Sequence, residues 1–241
     1  MNSDYSLSIV ICAIDETFSL ERTFEKLNSF HAADEYLFVL SKDCTSGCLE
    51  TTKKICERED CRYIFQPDKG FGDAIRASFD EVKGTHMVVW SADEATDISS
   101  FPEMLRLSKE NPEKIIKISR WMRKDGFEGY GRVKKIVNFI SQRAFALLYR
   151  SSLTEFTNPT QIAPVKVYRM INWERKGFEF LPEMVFKPLK LGVKFIEVPT
   201  KNVAREEGHS HVRFKGWLMY YYMIFKIFFT KKQDLVKEAR E

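Results

Sequence analysis

The chain has 241 residues, 44% hydrophobic and 30% charged, with a formal net charge of +4. That length suits one domain, or a domain with an appendage, and so small a charge, with acids and bases interspersed, argues against a nucleic-acid partner. Five cysteines without a CxxC pair argue against a zinc site and fit reduced thiols in a cytoplasmic protein.

The opening MNSDYSLSIVICAIDE has no basic stretch and its apolar run breaks at Asp15, so no signal peptide is expected. Strand and helix patterns then alternate. LSIVICAI (7–14) is apolar and β-rich, and SLERTFEKLNSF spaces Leu20, Phe24 and Leu27 as a helix does. YLFVL (36–40), CRYIFQ and HMVVW (86–90) read as strands, with LETTKKICERE and GDAIRASFDEVKG as the helices between them. Beyond Asp93 come a helix in FPEMLRLSKEN, a strand in KIIKIS, the basic glycine-containing loop RWMRKDGFEGYGRVKK and an amphipathic helix in VNFISQRAFALLYR. One more helix lies in GFEFLPEMVFKPLKLG, followed by the strand VKFIEVPT and the aromatic run GWLMYYYMIFKIFF. Apolar strands alternating with helices predict an α/β fold, a mostly parallel sheet covered by helices on both faces. Ligands of such sheets gather beyond the C-terminal ends of the strands.

Four strand ends carry polar groups toward that edge. The first delivers Ala13, Asp15 and Glu16, and the second Ser41, Lys42 and Asp43. The third delivers Pro67 to Asp73, with Gly70 and Gly72 allowing close backbone approach, and the fourth Ser91, Ala92 and Asp93. Asp93 is read either as a helix cap or as a metal hook. The glycines form neither a Walker loop nor a dinucleotide fingerprint, because no GK[ST] follows and the spacing is wrong.

In this order the pieces resemble family 2 glycosyltransferases of GT-A fold, closest to the dolichol-phosphate mannosyltransferase-like branch. VICAIDE stands at that family's V-I-P-x-Y-N-E, with Asp15 for Asn and Glu16 kept; VLSKDCTSGCLE stands at V-D-D-G-S-x-D-G-T and KGFGDAIRASF at G-x-G-x-A-hydrophobic-R. WSADEATD lies at the D-x-D metal loop, KISRWMRKDGFEGYGRVKKIVN at the S-R and arginine loop, and TNPTQIAPVKVYR at D-P-T-S-G-F-R. FLPEMVFKPLKLGVKFIEVP followed by AREEGHSH resembles the E…G…EVP…R-x-x-G-x-S-K ending. The chain departs from the pattern at Ser41 and Lys42 (paired acids in relatives), at Ser91 (the first Asp of D-x-D), at Ala95 (a Gln in some relatives) and at His211 (the closing Lys).

The resemblance implies an inverting, hexosyltransferase-like enzyme with a Rossmann-like nucleotide-binding core, moving a sugar from a nucleotide-sugar donor to a lipid-phosphate or glycan acceptor. It implies donor contacts at Ala13, Asp15, Glu16, Ser41, Asp43, Gly70, Asp73, Ala92, Arg205, Ser210 and His211, a divalent Mg²⁺ or Mn²⁺ at Asp93 with Ser91, and catalytic roles for Asp93, Arg120, Arg132 and Glu183. The developing charge on a departing diphosphate calls for a metal, for cations, or for both, and arginine suits the second task. An acceptor phosphate needs no base, whereas a hydroxyl acceptor would need one from Asp97, Asp125 or Glu183. A non-catalytic nucleotide-sugar-binding protein on the same fold is the rival reading, kept open by Ser91, Ser41 and Lys42. A nucleotidyltransferase would want a glycine-rich basic loop where AIDETFSLERT stands.

Residues 1–211 are read as the transferase domain and 212–241 as an aromatic, basic helical extension. No stretch reaches the roughly 18 to 20 apolar residues of a spanning helix. Trp, Tyr and Lys suit a headgroup layer, so the extension is expected on a membrane surface, with a core helix or a homodimer contact as alternatives. The expected location is the cytoplasm, peripheral on the cytoplasmic face of a membrane.

Overall fold

The computed structural model describes residues 5–127, 130–203 and 214–237, with side chains in the last segment from residue 218. Seven strands form one sheet: β1 (Leu7–Ala13), β2 (Glu35–Leu40), β3 (Cys61–Phe65), β4 (His86–Ser91), β5 (Ile115–Ser119), β6 (Gln161–Pro164) and β7 (Phe195–Pro199). Their order is β3-β2-β1-β4-β6-β5-β7, and only β6 runs antiparallel to its neighbours β4 and β5. The helices are α1 (Phe18–Asn28), α2 (Ser46–Arg58), α3 (Phe71–Glu81), α4 (Phe101–Glu110), α5 (Arg132–Tyr149), α6 (Val165–Met170), α7 (Leu181–Leu191) and α8 (Phe214–Phe229). This is the mostly parallel GT-A-type sheet expected from the sequence.

Successive residues of a strand face opposite sides, and each side builds its own core. Ile9, Ile11, Phe38 and Leu40 pack with Leu20 and Phe24 of α1, Ile55 of α2 and Phe101 and Met104 of α4. On the other face Val10, Leu37, Val39 and Val89 pack with Ile75 and Phe79 of α3, Phe145 of α5 and Phe186 of α7. Local chemistry fixes the helix ends. Thr45 accepts a hydrogen bond from the Cys48 amide at the start of α2, and Gly192 ends α7 in the left-handed region, at φ 94°.

Three features depart from the sequence reading. The four-residue β6 and the short α6 after it carry too little pattern to be recognised. Helix α5 begins at Arg132, inside the stretch expected to be loop, because its first turns bury nothing: only Gln142 and Phe145 are buried along it. The boundary drawn at residue 211 does not divide the core, since Tyr220, Met223, Ile224 and Ile227 of α8 are at most 1% exposed and pack among Phe156, Phe186 and Met184. Burying such side chains stabilises by about 1.5–3 kcal/mol each, so α8 is part of the domain.

Candidate functional site

The parallel register brings the four expected strand ends together. Cys12 pairs with Ser91 across β1 and β4, Ala13 with Leu40 across β1 and β2, and Leu40 with Phe65 across β2 and β3. The backbone carries the alignment past the strands, with the Ser41 amide on the Ala13 carbonyl at 3.1 Å and the Gln66 amide on the Leu40 carbonyl at 2.9 Å. Asp15, Glu16, Ser41, Asp43, Gly70, Asp73, Ala92 and Asp93 therefore all lie at one edge. Glu16 turns its carboxylate back to accept from the Ile14 and Asp15 amides, at 2.9 and 3.2 Å.

Asp93 is only 7% exposed. Its Oδ1 accepts from the Ser91 hydroxyl at 2.6 Å and from the Ala95 amide at 3.1 Å. The helix-cap reading of Asp93 is thus excluded; the cap of the following 3-10 turn is Asp97, which accepts from the Ser99 amide at 3.1 Å. Next to Asp93 stands a residue the sequence reading overlooked. Glu94 has a left-handed backbone, φ 54°, and its carboxylate is held by Arg22 and Lys26 of α1. Left-handed geometry in a non-glycine residue costs about 1–2 kcal/mol, and here two ion pairs to α1 hold it beside the Asp93 turn. Charge alone could not have flagged Glu94, since it resembles any acid in a polar loop.

The loop after β3 is closed by a distant segment. Gly70 has φ 116°, and a Cβ on it would stand 2.3 Å from the Lys176 carbonyl oxygen. The Asp73 amide donates to that carbonyl at 2.9 Å, while the Asp73 carboxylate accepts from the Asp68 amide at 2.6 Å. Lys69 pairs with Asp43 at 2.7 Å, and Lys42 donates to the Pro67 carbonyl, so the loops after β2 and β3 are tied to each other.

Glu183 must be corrected. It is fully buried, accepts from the Glu174 and Arg175 amides at 3.0 and 2.8 Å and pairs with Lys187 at 2.6 Å. It cannot serve as a general base at the open edge; it fixes the 174–177 segment that abuts Gly70. Arg120 also differs from expectation. Its guanidinium binds the Glu155 carboxylate through two bonds, at 2.9 and 3.1 Å, and stacks over Phe127. Burial disfavours the Arg120 charge, but the fully buried Glu155 outweighs it and the guanidinium pKa is raised. Burial pushes the neighbouring Lys117 down to about 8, against the pull of Glu155 and Glu197. Arg120 is thus engaged inside the protein rather than extended to the edge.

Arg132 stands exposed on the first turn of α5. Asp125 pairs with Arg123 at 2.6 Å, and that partner lowers its pKa to about 2. Arg205, Ser210 and His211 lie outside the described residues. The described chain before them ends at Val203, whose amide donates to the Ala95 carbonyl at 3.2 Å, two residues beyond Asp93. Among the described residues no three His, Cys, Asp or Glu side chains gather as a cage for a metal. The oxygen donors of Asp93 and Ser91 instead fit a hard cation that takes one or two carboxylates and completes its shell with phosphate oxygens and water.

This fold is similar to glucosyl-3-phosphoglycerate synthase from Mycobacterium tuberculosis. Its complex with Mn²⁺, uridine diphosphate and phosphoglyceric acid matches with a TM-score of 0.70 at 12% identity, covering 94% of this chain and 80% of that one. Its complex with Mg²⁺ and uridine diphosphate gives 0.64 at 13% identity, covering 85% and 73%. In sequence, glycosyltransferase AglD of Haloferax volcanii is 29% identical over 126 residues, which are 48% of this chain and 20% of that protein. The chain thus matches about a fifth of the length of that curated relative. The profile of Glycosyl transferase family 2 matches residues 8–171, well over half of the 241, and with the strand-end loops in that family's order the chain belongs to Glycosyl transferase family 2.

Proposed function

We propose that the protein transfers a hexosyl group from a nucleotide-sugar donor to a membrane-proximal acceptor of the polyprenyl-phosphate type, with inversion at the anomeric carbon. The observation that carries this reading is the convergence of the loops after β1, β2, β3 and β4 on one edge, built around Asp93. The loop around Gly70, held by Lys176, and the Ser41 turn line the place for the donor. Asp93, steadied by Ser91, would hold a divalent ion, which when bound supplies positive charge to the departing diphosphate.

The three carboxylates considered for base catalysis are otherwise engaged: Asp97 caps a turn, Asp125 pairs with Arg123, and Glu183 is buried on backbone amides. An acceptor that is already anionic needs no such base, which favours a phosphate over a hydroxyl. Arg132, exposed at the head of α5, is the cation assigned to it. Attack by an acceptor phosphate oxygen on the face opposite the leaving group inverts the carbon. The similar synthase was crystallised with uridine diphosphate and Mn²⁺, which supports the donor and metal half of the reading. Peripheral association with the cytoplasmic face of a membrane belongs to the same reading.

Calorimetric titration with UDP-, GDP-, CDP- and dTDP-sugars, with and without Mn²⁺, tests the donor half. Binding of at least one donor that strengthens with the metal is expected, and no binding to any of them overturns the proposal. Binding with neither transfer to a polyprenyl phosphate nor metal-dependent donor hydrolysis would favour a non-catalytic nucleotide-sugar-binding protein.

A further inference from the structure

Of the sixteen large hydrophobic side chains exposed among the described residues, ten lie on α5 and α8. On α5, Val133, Ile136, Ile140 and Leu147 follow one another at helical spacing, and Ile140 and Leu147 are 61% and 82% exposed. On α8, Leu218, Tyr222, Phe225 and Phe229 do the same. At about 100° per residue, each stripe lies on the side of its helix turned away from the core, opposite Gln142 and Phe145 on α5 and opposite Tyr220, Met223 and Ile227 on α8. The helices are direct neighbours: the Ser141 and Tyr221 hydroxyls are 3.0 Å apart, and the Tyr149 hydroxyl donates to the Ile224 carbonyl at 2.6 Å. Two outward apolar stripes thus flank one helix–helix seam. Patches of this kind mark interaction sites.

Charge identifies the partner. No acidic residue occurs between positions 129 and 154, while Arg132, Lys134, Lys135, Arg143 and Arg150 do; between 214 and 233 there are four lysines, one of which, Lys226, is paired with Glu174, and again no acid. By the same helical spacing Arg132, Arg143 and Arg150 border the α5 stripe along one side. Apolar groups entering the acyl boundary with cations at headgroup level complement an anionic bilayer. A second copy of the chain would instead set one cationic rim against another. We propose that α5 and α8 together form a docking face for an anionic lipid bilayer. This rests on the peripheral association proposed above and deepens it: it names anionic lipid as the surface, needs neither donor nor turnover, and assigns a role to α5 that the aromatic composition of α8 does not imply.

Co-sedimentation of the full chain with vesicles of phosphatidylcholine alone, or mixed with phosphatidylglycerol, is the test. Three variants sit on exposed positions: Ile136→Ser with Ile140→Ser, Leu218→Ser with Phe225→Ser, and Arg143→Gln with Arg150→Gln. Thermal melting checks that each is folded. The wild type is expected to sediment with anionic vesicles, and each apolar pair to weaken this by about tenfold or more. The basic pair and added salt should weaken it as well. Failure of the wild type to bind anionic vesicles, or unchanged binding by Ile136→Ser with Ile140→Ser, overturns the proposal. A dimer that this pair dissolves, without vesicle binding, overturns it in favour of a second copy. Nucleotide titration, run on the same samples, reports on the transferase reading separately.

Discussion

The Ser91 hydroxyl donates to Asp93 Oδ1 over 2.6 Å, so the residue standing at the first acid of the metal motif orients the second. The two substitutions should therefore differ. Asp93→Ala is expected to abolish the metal dependence of nucleotide binding, because a carboxylate carries most of the Coulomb attraction. Ser91→Ala should weaken it by about tenfold, the scale for losing a group that orients a ligand. Titration with whichever of the four nucleotide sugars binds, with and without Mn²⁺, measures both, and equal losses would reverse the assignment.

Gly70 tolerates no side chain. A Cβ would meet the Lys176 carbonyl oxygen at 2.3 Å, and φ of 116° is strained for any other residue. Gly70→Ala should lower stability by about 1–3 kcal/mol and weaken donor binding with it, measured by urea unfolding and titration. An unchanged unfolding midpoint would mean that the 174–177 segment moves aside without cost.

Arg120 and Glu155 hold each other through two hydrogen bonds inside the protein, at 2.9 and 3.1 Å. Glu155→Gln or Arg120→Ala alone should cost about 3–5 kcal/mol by stranding a buried charge. Arg120→Met with Glu155→Leu should recover much of that loss. Retained transfer in the stable double variant would confirm a structural role for Arg120, whereas loss of transfer would return it to the reaction.

Lys117 makes stability depend on alkaline pH. In the unfolded chain it holds its proton to about 10.4, but in the fold only to about 8, chiefly because of burial. Between these values the unfolded state binds the extra proton, so stability rises with pH, by about 3 kcal/mol at most, and below pH 8 the penalty stays constant. Chemical unfolding of wild type and Lys117→Met across pH 7.5–10.5 (about the span of the two pKa values) should show the rise in the wild type alone.

Arg132→Ala should slow transfer to a polyprenyl phosphate while leaving nucleotide affinity within about twofold (about 0.4 kcal/mol), because Arg132 is assigned to the acceptor. Equal loss of donor binding and transfer would place Arg132 on the donor.

The sheet was legible because β1, β2 and β4 are apolar runs buried on both faces, and their ends could be matched in order to a known family. What escaped was whatever the local apolar pattern does not record. Arg120 looks like a phosphate clamp until the fold brings Glu155 beside it, 35 positions on. Glu183 looks like a catalytic acid until its carboxylate is found on the Glu174 and Arg175 amides. β6 stayed hidden because QIAP gains its strand character only from pairing with β4 and β5, and the start of α5 because a helix whose first turns bury nothing carries no inward apolar pattern.

Ribosomes deliver a chain from its N-terminus, at about 5–20 residues per second. The sheet half made of β3, β2, β1 and β4 has all its residues within the first 91 positions and can pair early. Tyr220, Met223, Ile224 and Ile227 emerge more than a hundred residues later, yet they cover Phe145, Phe156 and Phe186. From the emergence of Phe186 until α8 follows, the nascent protein presents a bare aromatic wall, the kind of surface that chaperones shield and that drives aggregation when they do not.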